Sequence, residues 1–405
     1  MRFACTTLAL SCALSSVTGT ASAQTSLTLS EVVARAREHA PQVIAARLAV
    51  DEARGRLLGA GLRFQTNPDV EIGVGNRAGS STRSTDLELG VGQFFEPAGR
   101  RSARIASARA QIATRTATLD EIIRTVTREA LAAFYSTIHA NERIRLLTNT
   151  EQLAVRVLEV ADRRFRAGDL AVLDVNIARS ALARIRANRE VAEAVRITSL
   201  GDLKNLLAIE GRINVQGSLM PGAEPDAAVL TQSATLRPEI RLLEAELQEA
   251  EADTQFGRTF SRPDYTLGAK YQREGGDQIV LGALTVSLPV FSAGQELRAV
   301  GTARATRLRT ELAAARARVQ IELRTALDSY ARRLEALRIL QREALPTLEE
   351  NEALAARSFE VGQIGLPDLL LIRREIQDTQ FQFLDAQLEA ALARVNVDAA
   401  AAVPR

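Results

Sequence analysis

Apolar and polar residues alternate strictly in four short stretches of the chain, and nearly everywhere else apolar residues recur at three- and four-residue steps. Val70, Ile72 and Val74 alternate with Glu71 and Gly73, and Leu87, Leu89 and Val91 alternate with Glu88 and Gly90. Tyr265, Leu267, Ala269 and Tyr271 form a third run, and Val280, Leu284, Val286, Leu288 and Val290 a fourth. Period-two patterning predicts strands with one apolar face. Their polar turns are read at Gly75–Ser81 and at Arg273–Asp277. Between Arg100 and Ala167 there is neither Gly nor Pro, and between Gln295 and Val361 only Gly301 and Pro346 interrupt. Each stretch predicts a helix of about 65 residues, roughly 100 Å long. In the second, Val319, Leu323, Ala326, Tyr330, Leu334, Leu337 and Leu340 keep the spacing of a coiled-coil seam, with a kink expected at Pro346. Shorter helices are expected from a Ser30 cap to about Leu62, and from about Thr235 to Phe256.

The elements come in two matching sets. Ala40-Pro41-Gln42 recurs as Arg237-Pro238-Glu239, Asn67-Pro68-Asp69 as Arg262-Pro263-Asp264, and Ala98-Gly99-Arg100 as Ala293-Gly294-Gln295. Tyr135 recurs as Tyr330, and Phe165-Arg166-Ala167-Gly168 with Asp174 recurs as Phe359-Glu360-Val361-Gly362 with Asp368. One register held through five landmarks marks a duplication. The first repeat is read as 24–220, with strands at about 69–76 and 86–95 and a helical hairpin at 100–208. The second is 221–405, with strands at about 264–272 and 278–290 and a helical hairpin at 295–397. A Gly/Pro-rich linker, 217–225, joins them.

Composition agrees with long, narrow helices: apolar residues make up 46% of the chain, aromatics only 4%, and there is no Trp. A net charge of +2 offers nucleic acid no attraction. Residues 1–23 read as a signal peptide, with Arg2, an apolar stretch and the small-x-small site Ala21-Ser22-Ala23. Lipid attachment at Cys12 is the alternative form of anchoring. Cys5 and Cys12 both fall in that leader, and His39 and His139 lie far apart with no paired ligand motif, so neither a cofactor nor a dedicated metal site is expected. No nucleophile-and-base motif is present, and Gly75–Ser81 lacks the ending of a phosphate loop, so no enzyme is expected.

No apolar run reaches the length of a membrane helix, but each alternating run has the roughly 8–11 residues a tilted strand needs to cross a bilayer. Four such strands cannot close a barrel alone, and an open sheet in lipid leaves backbone groups unpaired. With its strands, duplication and long helical hairpins, the chain resembles the TolC family of outer-membrane efflux proteins. Asn67-Pro68-Asp69-Val70-Glu71 and Gln93-Phe94-Phe95-Glu96-Pro97-Ala98-Gly99-Arg100-Arg101 with Arg104 are similar to the cobalt-zinc-cadmium branch, although Ala98 and Arg100 stand where that pattern usually carries Gly and Lys. The resemblance implies a mainly α protein with a membrane β-barrel. Three chains would share a 12-stranded β-barrel continued by an α-helical barrel into the periplasm. It further implies a homotrimer in outer-membrane lipid, served by a periplasmic membrane-fusion adaptor and an inner-membrane pump of the resistance-nodulation-division type. The implied function is passive export of heavy-metal cations. Export of drugs or small toxins, and a periplasmic coiled-coil scaffold without a pore, are the alternatives.

Two groups of site residues follow. Val70, Ile72, Val74, Leu87, Leu89, Val91, Tyr265, Leu267, Leu284, Val286 and Leu288 are assigned to the lipid face of the strands. Gly168, Leu173, Asp174, Phe359, Gly362, Ile364, Asp368 and Leu371 are assigned to the periplasmic tip and gate. For Asp174 and Asp368 two readings stand open: stabilisation of a helix start, or a ring of carboxylates that attracts cations and contacts the adaptor.

Overall fold

The computed structural model describes residues 25–78, 83–220 and 226–402. The signal peptide with its cleavage site and the Cys12 alternative, most of the first hairpin turn, and linker residues 221–225 lie outside them. In chain order, β1 (Thr25–Leu27), α1 (Leu29–Glu38) and α2 (Pro41–Gly61) lead to a hairpin of β2 (Asp69–Ala78) and β3 (Arg83–Phe95). There follow α3 (Arg100–Arg166), α4 (Val172–Leu207), β4 (Ile213–Val215), α5 (Ala227–Ala234) and α6 (Pro238–Thr259). The second hairpin is β5 (Asp264–Glu274) and β6 (Asp277–Ser287), after which α7 (Gln295–Ile339), a π-helical turn (Leu340–Ala344), α8 (Leu345–Glu360) and α9 (Leu366–Ala400) complete the chain. No helix among the described residues is long and apolar enough to cross a membrane.

Several boundaries differ from the sequence expectation. The first helix is capped by Thr28, not Ser30: Thr28 and Glu31 form a reciprocal capping box. It also breaks at Ala40, which is extended ahead of Pro41 because the proline ring disfavours a helical residue before it. Its counterpart in the second repeat is likewise two helices, α5 and α6, with α6 opening at Pro238. α7 runs unbroken through Gly301, where α6 packs too closely for any side chain. Where a kink was expected, a π-helical turn separates α7 from α8: the Leu345 N–H donates to the Leu340 carbonyl five residues back, just before Pro346, which has no donor of its own.

β2-β3-β5-β6 form one antiparallel sheet, while β1 and β4 pair in parallel beside the helices. Helices α1, α3, α4 and α9 enclose a core around Phe134, Leu203 and Leu207, and the Phe134 and Tyr135 rings meet edge to face at 5.4 Å. A second core joins α5, α6, α7 and α9 around Tyr330, with the seam residues Val319, Leu323 and Leu334 buried in it. A third, smaller core closes the hairpin tips. α3 alone, at 67 residues, extends for about 100 Å, so the tips stand far from the sheet.

Candidate functional site

The sheet has two chemically distinct faces. Val70, Ile72 and Val74 pair directly with Val91, Leu89 and Leu87. Leu89 in turn faces Tyr271, Tyr265 faces Val286, and Leu267 faces Leu284. Directly paired residues project to the same side of an antiparallel sheet, which puts these apolar side chains on one face. Leu288 is the exception: β6 stops at Ser287 because Pro289 has no N–H for the ladder, and Leu288 lies exposed beyond the strand. The strand expected at 278–290 is therefore shorter at its far end.

Charge occupies the opposite face. Lys270 Nζ donates to Glu71 Oε2 at 2.8 Å and to Glu88 Oε1 at 3.0 Å, so one ammonium ties three strands together. Nearer the turns, Arg77 donates to Asp86 at 2.9 Å and to Glu274 at 2.7 Å. Gly73, Gly75, Gly90, Gly92 and Gly268 share this face, leaving space between the charged groups. The Glu71–Lys270–Glu88 bridge crosses from one repeat to the other and was not among the residues singled out from sequence; the polar phase of each alternating run was the only available sign of it.

A collar of arginines joins the sheet to the helices. Arg100, 4% exposed, pairs with Asp264 and donates to the carbonyls of Thr259 and Arg262 at 3.2 and 3.3 Å, while its guanidinium covers the Phe260 ring at 4.5 Å. Arg104 pairs with Glu96 and donates to the Ala60 carbonyl at 3.0 Å, and Arg101 donates to the Gly61 carbonyl at 2.7 Å. The motif 93–104 that carries the family resemblance thus works as a structural joint.

At the tips, α3 ends on Gly168 (φ 87°) and α8 on Gly362 (φ 76°), the left-handed conformation that lets a helix stop and the chain turn. Leu173 and Leu371 are 65% and 66% exposed. Phe359 and Ile364 instead pack inward on the tip core, and the Arg164 guanidinium lies 5.0 Å over the Phe359 ring. Asp368 accepts the Gly365 N–H at 3.3 Å, closing the first turn of α9. Asp174 holds the same position in α4 but makes no side-chain hydrogen bond among the described residues. No group of three or more metal-ligating side chains occurs among the described residues. His139 sits in the helical body, where its Nε2 and the Arg143 guanidinium both bond Asp385 Oδ1, at 2.7 and 2.9 Å.

Comparison with known proteins agrees with this arrangement. The family of outer membrane efflux proteins matches residues 32–208. The cobalt-zinc-cadmium resistance protein CzcC of Cupriavidus metallidurans is 25% identical over 363 residues, covering 87% of this chain and 85% of CzcC. The CmeC outer membrane channel of Campylobacter jejuni superposes with a TM-score of 0.78 at 16% identity, covering 92% of this chain and 85% of CmeC. The CusC structure gives a TM-score of 0.76 at 16% identity, covering 92% of this chain and 91% of CusC. Residues 32–208 carry the outer membrane efflux protein domain, and the chain is an efflux channel of the outer membrane whose helices extend into the periplasm.

Proposed function

We propose that three copies of this chain close their sheets into one twelve-stranded barrel and form the exit duct of a tripartite system that exports heavy-metal cations. The observation that carries the duct is the two-faced sheet with both edges open: among the described residues, β2 and β6 each have a single neighbour. In lipid an unpaired strand edge costs several kcal/mol per backbone group, and pairing β2 of one copy with β6 of the next removes both edges at once. The apolar face then meets lipid and the Glu71–Lys270–Glu88 face lines the passage. A pore-free scaffold leaves that two-faced sheet without a role. Energy comes from an inner-membrane pump of the resistance-nodulation-division type, and a periplasmic membrane-fusion adaptor meets the tips. Support for metal cargo is the similarity to CzcC along most of both chains, together with the motifs 67–71 and 93–104.

Deleting the gene is expected to lower tolerance to cobalt, zinc and cadmium, and plasmid-borne wild type to restore it. Unchanged metal tolerance with new sensitivity to drugs would reassign the cargo, and a monomer in mild detergent would overturn the shared barrel.

A further inference from the structure

Toward the tips of the helical hairpins, α3, α4, α8 and α9 leave a cavity of about 210 Å³ that no part of the duct argument uses. Its walls are half apolar, with Leu153, Ile185 and Leu370 facing in. Its polar lining is unbalanced. Arg184, Arg373 and Arg374 all border it, against one carboxylate, Glu352. Arg374 has a partner, Asp378, at 3.6 Å. Arg373 is half-buried and, among the described residues, has no hydrogen bond and no ion pair within 4.0 Å. Burial holds its pKa below the ordinary arginine value in spite of the Glu352 charge, and the nearby Arg156 pushes it the same way. Beside it on the same helix, the Gln377 side-chain nitrogen is buried with no acceptor.

A buried donor without an acceptor carries its full desolvation cost, and a guanidinium remains charged throughout the accessible pH range. The buried Gln377 amide and, one turn before it on α9, the half-buried Arg373 guanidinium border one cavity and define a site short of negative oxygen atoms. The room available exceeds that of a single water. We propose that this cavity binds a small organic carboxylate, its anionic head between Arg373 and Gln377 and its apolar body against Leu153, Ile185 and Leu370. A carboxylate takes parallel N–H bonds from a guanidinium fork, whereas a bare inorganic oxyanion satisfies the donors and leaves the apolar walls uncovered.

The test uses the full chain, purified in a neutral detergent and titrated calorimetrically with octanoate, 1-octanol and inorganic phosphate, with thermal unfolding followed in parallel. Octanoate is expected to bind at least tenfold more tightly than either of the others and to raise the melting temperature. Arg373→Met is expected to weaken octanoate binding at least tenfold, Arg373→Lys less, and Gln377→Leu severalfold. Because Arg373 has no partner to lose, Arg373→Met without ligand is expected to melt at the wild-type temperature or above it, which separates a binding role from a structural one. Absence of octanoate binding to the wild type, or equal binding to Arg373→Met, would overturn the site. Octanol or phosphate binding as tightly as octanoate would overturn its assignment to an organic anion. None of these readouts depends on export, so the duct stands or falls separately.

Discussion

Arg100 shows how much one side chain does at the joint between sheet and helix. It is almost fully buried, Asp264 is its partner, and two backbone carbonyls depend on it. Removing one member of a buried pair leaves an uncompensated charge, at about 3–5 kcal/mol when both are enclosed. Asp264 is 28% exposed, so water relieves part of that cost, and Arg100→Gln is expected to destabilise by about 2–4 kcal/mol. The fall in denaturant midpoint of the purified protein measures it, and no change would show the pair to be dispensable. The sequence shows Arg100 as part of a motif, but Asp264 lies 164 residues away, and only the folded crossing of the two repeats brings them together. A second contact responds to pH. The His139 hydrogen bond, aided by Arg143, holds the Asp385 carboxyl below its ordinary range. A depressed carboxyl contributes stability above its unfolded pKa of about 3.9 and loses it as pH falls through the folded value. Asp385→Asn is therefore expected to cost about 1 kcal/mol at neutral pH, the charge-assisted bond being discounted for a half-exposed carboxylate. That difference should vanish in acid, and a cost unchanged down to pH 2 would sink the assignment.

At the level of elements, strand faces were the most legible feature, because a period of two leaves only two choices and the apolar set chose one. Ten of the eleven residues assigned to that face share a side of the sheet; the eleventh, Leu288, lies just beyond the end of β6, ahead of Pro289. Helix ends were harder to read. Ser30 and Thr28 are both competent caps, and only the reciprocal bond with Glu31 selects Thr28. The π-helical turn has no sequence signature beyond Pro346, and the inward packing of Phe359 and Ile364 depends on three other helices. The strand phase makes its own prediction. Leu89→Arg places a charge on the apolar face and is expected to cost about 2–4 kcal/mol near the bilayer midplane, while Thr285→Arg, on the charged face, is expected to cost well under half of that. Urea unfolding from phospholipid vesicles compares the two; equal penalties would show that the faces do not differ in environment, and a larger penalty at Thr285 that they are reversed.

For the whole molecule, what remains is how the far end of the duct treats its cargo, and the two tip carboxylates divide that question. Asp174 and Asp368 are equivalent by duplication, yet Asp368 is engaged with the Gly365 N–H and Asp174 with nothing among the described residues. A carboxylate already closing a helix turn stabilises that turn by about 0.5–1 kcal/mol, through the bond and the helix dipole. Asp368→Asn is expected to lower tip stability by up to this amount, whereas Asp174→Asn, which breaks no bond and forfeits only the helix-dipole attraction, is expected to cost about 0.3 kcal/mol. In a trimer the six carboxylates would encircle one aperture beside the exposed Leu173 and Leu371, where like charges attract cations without binding them tightly. The double Asn variant is then expected to lose cation preference in planar-bilayer recordings, and Asp174→Asn alone about half of it. The loss should be largest near 10 mM salt, where the screening length is about 30 Å, and small at 1 M, where it is about 3 Å. If Asp174→Asn keeps full cation preference at low salt, the free carboxylate does not act on ions, and the acidic residues of the tips serve only their helices.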